Sequence, residues 1–341
     1  MDLNSVNRNA TAPTPQLIPV YETNHIGDAR RRAVHFAEQL GFDESDRSDL
    51  AIIVNELSTN LVKHARQGEL LLQSDGVGGL EVLAFDRGPG MRDVERCLED
   101  GFSTAGSRGM GLSAIRRLAS QWDIYSKPDV GTVQLVRVGD KSTFTSSRPE
   151  YRVRGVSVPH PSETICGDAW DVRIRPTKIE IVVADGLGHG SSAYAASSEA
   201  IRVFRESEGM SPTRMLSEMH EALRATRGAA VSIAVLDLSA RRVEYAGIGN
   251  IGGFIARDAS IQRMVSLNGT LGCGSPPRPR AFGYDLPPGA IVAMFSDGLQ
   301  SQTGSTAYPG LLRHDPALTA VTLYRDFKRG KDDATVVVAA S

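Results

Sequence analysis

Hydrophobic positions recur along this chain at two periods, and the change between them falls near its middle. Between Asp43 and Ala65, residues Leu50, Ile53, Val54, Leu57 and Leu61 repeat at helical spacing. They predict an amphipathic helix with one buried stripe, its start capped by Asp43 or Ser45. From Val20 to about Val138 helical and strand-like patterns alternate, closing on the strand-like GTVQLVRV. Residues 139–150, GDKSTFTSSRPE, hold almost nothing apolar and read as a linker, and the polar residues 1–16, with two prolines, read as a flexible arm. Beyond the linker the apolar runs shorten to strands punctuated by Gly and Pro: RVRGVSV, KIEIVVADG, AVSIAVLDL, RRVEYAGIG, AIVAMFSDG and ATVVVAAS. Helical patterns interrupt them at about 191–206 and 212–225. The expectation is a mixed α/β (α+β) chain of two domains, 17–138 and 151–341.

Composition changes this picture little but excludes partners. The chain has 341 residues, 41% hydrophobic and 23% charged, with a net charge of -2. That is enough for two cores and leaves no basic field to attract nucleic acid. The three cysteines, Cys97, Cys166 and Cys273, are far apart and lack metal-ligand or disulfide spacing, so they read as structural thiols. No apolar run approaches the roughly 18 residues of a membrane span, and the polar start lacks the apolar core of a signal peptide. A cytoplasmic protein without membrane contact is expected.

Beside the apolar stripe of the predicted helix runs a polar one of Glu56, Asn60, Lys63 and His64. Taken alone it is a solvated helix face. It is followed, however, by a strand running into a carboxylate-glycine turn, LEVLAFDRGPGM, with Asp86, Gly88 and Gly90. A glycine loop then opens a helix, GSRGMGL, with Gly106, Arg108, Gly109, Met110 and Gly111. Each glycine stretch could be a plain turn, but the three parts together suit ATP. Asp86 can accept from the adenine amino group, glycine-loop N–H groups can approach phosphates at a helix start, Asn60 offers an oxygen to magnesium, and Glu56 offers a general base.

NELSTNLVKHA, AFDRGPGM and GSRGMGLSAIRRL resemble the ATP-binding boxes of the GHKL superfamily, within it the serine kinases of sigma-factor partner switching. Flanking stretches such as ARRRAVHFAEQLGF and WDIYSKPDVGTVQLV resemble the stressosome RsbT type more than the sigma-sequestering RsbW type. The resemblance covers about residues 18–138 and implies a GHKL (Bergerat-type) α/β sandwich. It also implies that Glu56 takes the proton from a substrate serine, Asn60 holds magnesium on the phosphates, Asp86 reads adenine, and Lys63 and the glycine loop line the nucleotide.

In the second half, Asp185-Gly186 ends the run KIEIVVADG and would ordinarily mark a hairpin tip. The next stretch, GHGSSAYAASSEAIRVFRE, is small-residue-rich and then helical, so the hairpin lacks its second strand. Asp297-Gly298 after AIVAMF repeats the arrangement, while Asp168 precedes a strand and Asp332-Asp333 precede the last one. Any one of these could be a turn residue. Four at strand ends, with little cationic charge nearby, favour hard divalent cations.

The order G-D, D-G-x-G-H-G, S-D-G, D-D-x-T resembles the PPM superfamily of metal-dependent phosphatases, in its SpoIIE branch that includes the RsbX type, over about residues 152–341. AGIGN and NGTLG also resemble that branch. The resemblance implies a β-sandwich flanked by helices, with Asp168, Asp185, the Gly186 carbonyl, Asp297 and Asp333 on two manganese or magnesium ions, and water rather than a side chain as nucleophile. Cys166 and Leu187 depart from the residues usual there, glycine and methionine, and neither removes a ligand. His189 either bonds near the site or satisfies a turn.

The two resemblances together imply a partner-switching regulator: a protein phosphatase fused to an ATP-binding serine kinase domain, both acting on a STAS-domain anti-anti-sigma or stressosome-type protein. A sigma factor or other downstream regulator is a second expected partner, and homodimers occur among such kinases. The alternative makes the first domain a non-transferring ATP sensor or docking module for a STAS or sigma-factor partner.

Overall fold

A computed structural model describes residues 13–76, 78–97, 111–139, 151–258, 260–302 and 308–340. They form two compact units, one within Asn7–Arg148 together with Arg313–Arg325, the other within Pro149–Leu312 together with Asp326–Ser341. Most of the anticipated arm and linker, residues 1–12 and 140–150, lies outside the described residues.

The first unit is an antiparallel sheet in the order β1-β2-β3-β5-β4, built from Gln16–Pro19, Glu69–Ser74, Leu80–Phe85, Gln121–Lys127 (β4) and Gly131–Val138 (β5). Helices α1 (Thr23–Gln39), α2 (Glu44–His64) and α4 (Gly111–Leu118) bury one face of it; α3 is the single turn Val94–Cys97. The anticipated stripe is the one that packs, since Leu50, Ile53, Val54, Leu57 and Leu61 are all buried. Asp43 caps α2 by accepting from the Asp46 N–H at 2.8 Å, and acidic Glu44 and Asp46 at its start and basic Lys63 and His64 at its end complement the helix dipole.

Residues 313–325 belong to this first unit. Arg137 on β5, 1% exposed, lies between Glu81 on β3 (2.5 Å) and Asp315 (2.9 Å). Tyr324 packs edge-on against Phe85, with ring centroids 6.0 Å apart. The Arg325 guanidinium donates to the Asp86 carbonyl at 3.0 Å.

The second unit carries two antiparallel five-stranded sheets, β13-β10-β9-β8-β7 and β12-β11-β14-β15-β6. The first comprises β7 (Asp168–Ile174), β8 (Lys178–Gly186), β9 (Ala229–Asp237), β10 (Arg242–Ile248) and β13 (Phe282–Asp285). The second comprises β6 (Arg152–Val158), β11 (Gly252–Arg257), β12 (Ser260–Arg263), β14 (Ile291–Phe295) and β15 (Ala334–Ala340). Inward side chains of both sheets, among them Ile181, Val183 and Tyr245 with Ile255, Val292, Met294 and Val337, share one core. Helices α5 (Ser191–Glu206) and α6 (Pro212–Ala222) cover the outer face of the first sheet through Ala196, Ala200, Phe204, Met215 and Met219. The last helix, α7 (Pro316–Phe327), lies mostly within the residues 313–325 that belong to the first unit.

Candidate functional site

Four strand ends deliver the acidic cluster of the second unit. Asp168 opens β7 and Asp185 stands in β8, and antiparallel pairing sets these two residues directly opposite one another. Asp297 follows β14 and Asp333 precedes β15, which pair with each other. A Cβ on Gly186 would overlap the carbonyl of Ala193 in α5, so this strand end accepts no side chain. The chain then turns into α5 rather than into a second strand, through Gly188 (φ +86°) and Gly190 (φ +74°), a left-handed path that glycine takes without strain. Asp185-Gly186 is therefore no hairpin tip.

The carboxylates are held individually. Ser296 donates to Asp168 Oδ2 at 2.6 Å and itself accepts from the Thr335 N–H at 2.9 Å. The Asn250 amide donates to Asp297 Oδ2 at 2.7 Å, and the His160 backbone N–H donates to Asp333 Oδ1 at 2.8 Å. Two oxygens, Oδ1 of Asp168 and Oδ2 of Asp333, are buried with no hydrogen-bond partner.

Electrostatics reports the same crowding. Burial, reinforced by Asp333 and Asp297, pushes the Asp168 carboxyl up to about 7 against the pull of its Ser296 hydrogen bond. Burial and then the charges of Asp168, Asp297, Asp332 and Asp333 push Asp185 up to about 9. Asp297 is raised by burial and Asp332. The Cys166 thiol is raised well above its usual range by burial and by Asp168 and Asp333, which keeps it protonated and unreactive.

Inward carboxylate oxygens without donors and mutually repelling acids fit a hard divalent cation. Among the described residues no three His, Cys, Asp or Glu side chains close around one point. An ion here would be completed by the Gly186 carbonyl and water, ligands that magnesium and manganese both accept.

In the first unit the anticipated residues meet α2 at two places, Gly111 beside Glu56 and Asn60, and Gly88 beside its last turn. Glu56 and Asn60 are half-buried one turn apart, and the place a Cβ would take on Gly111 lies 2.8 Å from Glu56 Oε2 and 3.9 Å from Asn60 Nδ2. Asp86, at the end of β3, is 9% exposed and accepts from the Gly88 N–H at 2.6 Å. Burial raises its pKa against that bond and one from the Thr132 backbone. Gly88 closes on the end of α2, beside the His64 carbonyl, and Gly90 turns at φ +65°. Lys63 is exposed at the last turn of α2. Gly106, Arg108, Gly109 and Met110 lie outside the described residues.

Ser296 and Asn250 lie within FSDG and AGIGN, where the sequence alone gives them no role; their hydrogen bonds to the clustered carboxylates supply one. His189 pairs with a residue the sequence did not single out, Glu163, at 2.8 Å, and stacks on His160 with centroids 4.4 Å apart at 12°.

Two family models match. Stage II sporulation protein E covers residues 175–340, and the histidine kinase-like ATPase domain covers residues 20–137. The serine/threonine-protein kinase RsbT of Bacillus subtilis (strain 168) is 34% identical over 107 residues, 30% of this chain and 80% of the kinase. The phosphoserine phosphatase RsbX of the same organism is 29% identical over 140 residues, 40% of this chain and 69% of the phosphatase. A structure solved in work on the bacterial stressosome as a modular system adapted to control secondary messenger signalling is 26% identical, with a TM-score of 0.52, over 55% of this chain and 98% of its own.

Proposed function

Because the chain belongs to the RsbT-type ATPases through its first unit and to the SpoIIE-type metal-dependent phosphatases through its second, we propose that it is a partner-switching regulator that adds and removes phosphate on serine or threonine of a STAS-domain protein of stressosome type. The observation that carries the phosphatase half is the pair Asp168 and Asp185, opposed in register, with Asp168 Oδ1 and Asp333 Oδ2 buried and unpartnered.

Asp168, Asp185, the Gly186 carbonyl, Asp297 and Asp333 would hold manganese or magnesium. When bound, such ions supply Lewis acidity toward the phosphoryl oxygens and lower the pKa of water. The chain's own groups set the geometry: Ser296 fixes the Asp168 carboxylate, Asn250 fixes Asp297, and the His160 N–H fixes Asp333. The nucleophile in this reading is water activated by the bound ions, as the family resemblance implies.

In the first unit Glu56 would take the proton of the substrate serine as the serine oxygen bonds to the γ-phosphorus of ATP and ADP leaves. Asn60, through magnesium, and Lys63 would hold the phosphates, and Asp86 would accept from the adenine amino group. A phosphate on serine carries about -1.5 to -2 charge, enough to break a docking surface and so to change partners.

The test uses the D185N protein with ATP, magnesium and a STAS-domain protein, read by intact mass, followed by wild-type protein and manganese. One phosphate gained and then removed supports both activities on one substrate. No gain, with the wild type still stripping phosphate from a separately phosphorylated sample, leaves the phosphatase with a first unit that senses or docks.

A further inference from the structure

Six large hydrophobic side chains are exposed among the described residues, and three of the four in the second unit flank the carboxylate cluster: Ile165 (37%), Leu187 (47%) and Tyr194 (49%). Leu187 directly follows Asp185-Gly186, Ile165 precedes Asp168 by three residues, and Tyr194 stands in the first turns of α5.

The backbone draws all three to one place. A Cβ on Gly167 would lie 2.7 Å from the Cβ of Ala193, and one on Gly186 would overlap the Ala193 carbonyl, so the segments bearing Ile165 and Leu187 both abut the residue next to Tyr194. The supports are hydrogen-bonded. The Leu187 N–H donates to the Gly228 carbonyl at 3.0 Å and the Tyr194 N–H to the Gly190 carbonyl at 3.0 Å. The His189–Glu163 pair and the His189–His160 stack tie the 160–165 loop to the 187–190 turn.

Apolar side chains held out by ordered backbone beside a polar centre are what a recognition surface presents. A phosphoester reaching Asp168, Asp185 and Asp333 must bring its neighbouring atoms over these residues. Charge lies beside them, with the Arg227 guanidinium against Gly188 and the Glu163–His189 pair next to Ile165, and the three apolar side chains add a contact surface that those charges do not supply.

Resting on the phosphatase reading, we propose that Ile165, Leu187 and Tyr194 form an apolar rim that selects phosphoserine segments carrying apolar side chains beside the phosphorylated residue. The substrate class is a protein with its phosphoserine set in an apolar patch. Phosphoserine on a polar, charged tail is a poor substrate.

The test compares two synthetic phosphoserine peptides, one with Leu and Val flanking the phosphoserine and one with Gly and Ser, using the full chain in manganese with p-nitrophenyl phosphate as a third substrate. The wild type should prefer the apolar peptide in kcat/KM by about tenfold or more, mostly through KM, the scale expected when partly exposed apolar side chains are covered. In L187S/Y194S, and to a lesser degree in Y194S alone, that ratio should fall toward one, with melting temperatures confirming the fold. Equal kcat/KM for the two peptides in the wild type, or a preference that survives in L187S/Y194S, overturns the rim while p-nitrophenyl phosphate turnover keeps the phosphatase. No turnover of any of the three overturns the phosphatase reading and the rim with it.

Discussion

Replacing Asp185 by asparagine should make the metal-free protein more stable, an unusual outcome for a change at an active-site residue. Asp185 is pushed up to about 9 by burial and by the charges of Asp168, Asp297, Asp332 and Asp333, against about 3.9 in an unfolded chain. With the folded pKa above the unfolded one, the folded state binds more protons, so stability falls as pH rises from about 4 toward the folded value. Counting only two pH units of that difference, at about 1.4 kcal/mol each, the proton that Asp185 takes up on folding costs about 3 kcal/mol at pH 8. Removing that cost should raise the melting temperature of the second unit by about 6–12 °C. The assay is scanning calorimetry on chelator-treated wild type and D185N at pH 5, 6.5 and 8, with and without manganese. Wild type should lose stability between pH 5 and 8 and recover it with manganese. The variant should start higher, lose less, and gain little from the metal. A variant less stable than wild type at pH 8 without metal, or a wild type whose metal-free stability rises over that range, would refute the account of the cluster as mutually repelling acids awaiting cations.

Three other variants probe the base proposed at Glu56, the Gly186 strand end and the buried ion cluster. E56A should retain ATP binding and its melting temperature while phosphate transfer to a STAS-domain protein, followed by intact mass, drops by about 10²–10⁴-fold, the usual worth of a general base. G186A places a methyl group on the Ala193 carbonyl, so it should lower stability by about 1–3 kcal/mol in urea unfolding and lose manganese-dependent turnover. R137M strands the Glu81 and Asp315 carboxylates, each 1% exposed. It should cost about 3–5 kcal/mol, whereas replacing all three residues by apolar ones of similar volume should cost far less, both read by chemical denaturation.

The elements were legible wherever periodicity ran long. The stripe on α2 and the helical patterns at about 191–206 and 212–225 match Glu44–His64, Ser191–Glu206 and Pro212–Ala222, the last continuing as a 3₁₀ turn over Leu223–Ala225. The Asp-Gly strand ends were legible because no second strand came after them. Groups that act across sequence distance were not. Asn250 meets Asp297 from 47 residues away and Ser296 meets Asp168 from 128, and nothing local distinguishes either from a loop amide or hydroxyl. The opposition of Asp168 and Asp185 depends on a register that one residue of slippage would destroy, and spacing does not encode it. Glu81 and Arg137 occupy strands whose residues are buried throughout. Nothing in the sequence marks them as a pair, and their third partner, Asp315, is 178 residues beyond Arg137.

The membership of residues 313–325 in the first unit has an evolutionary side. These residues lie between Asp297 and Asp333 in sequence, yet Asp315 completes the ion cluster around Arg137 and Tyr324 meets Phe85. A recombination crossover at 139–150, the natural seam for shuffling domains, would transplant Arg137 and Glu81 without Asp315 and leave that acid behind in the donor. Exchanging either half at that seam would therefore separate Asp315 from Arg137.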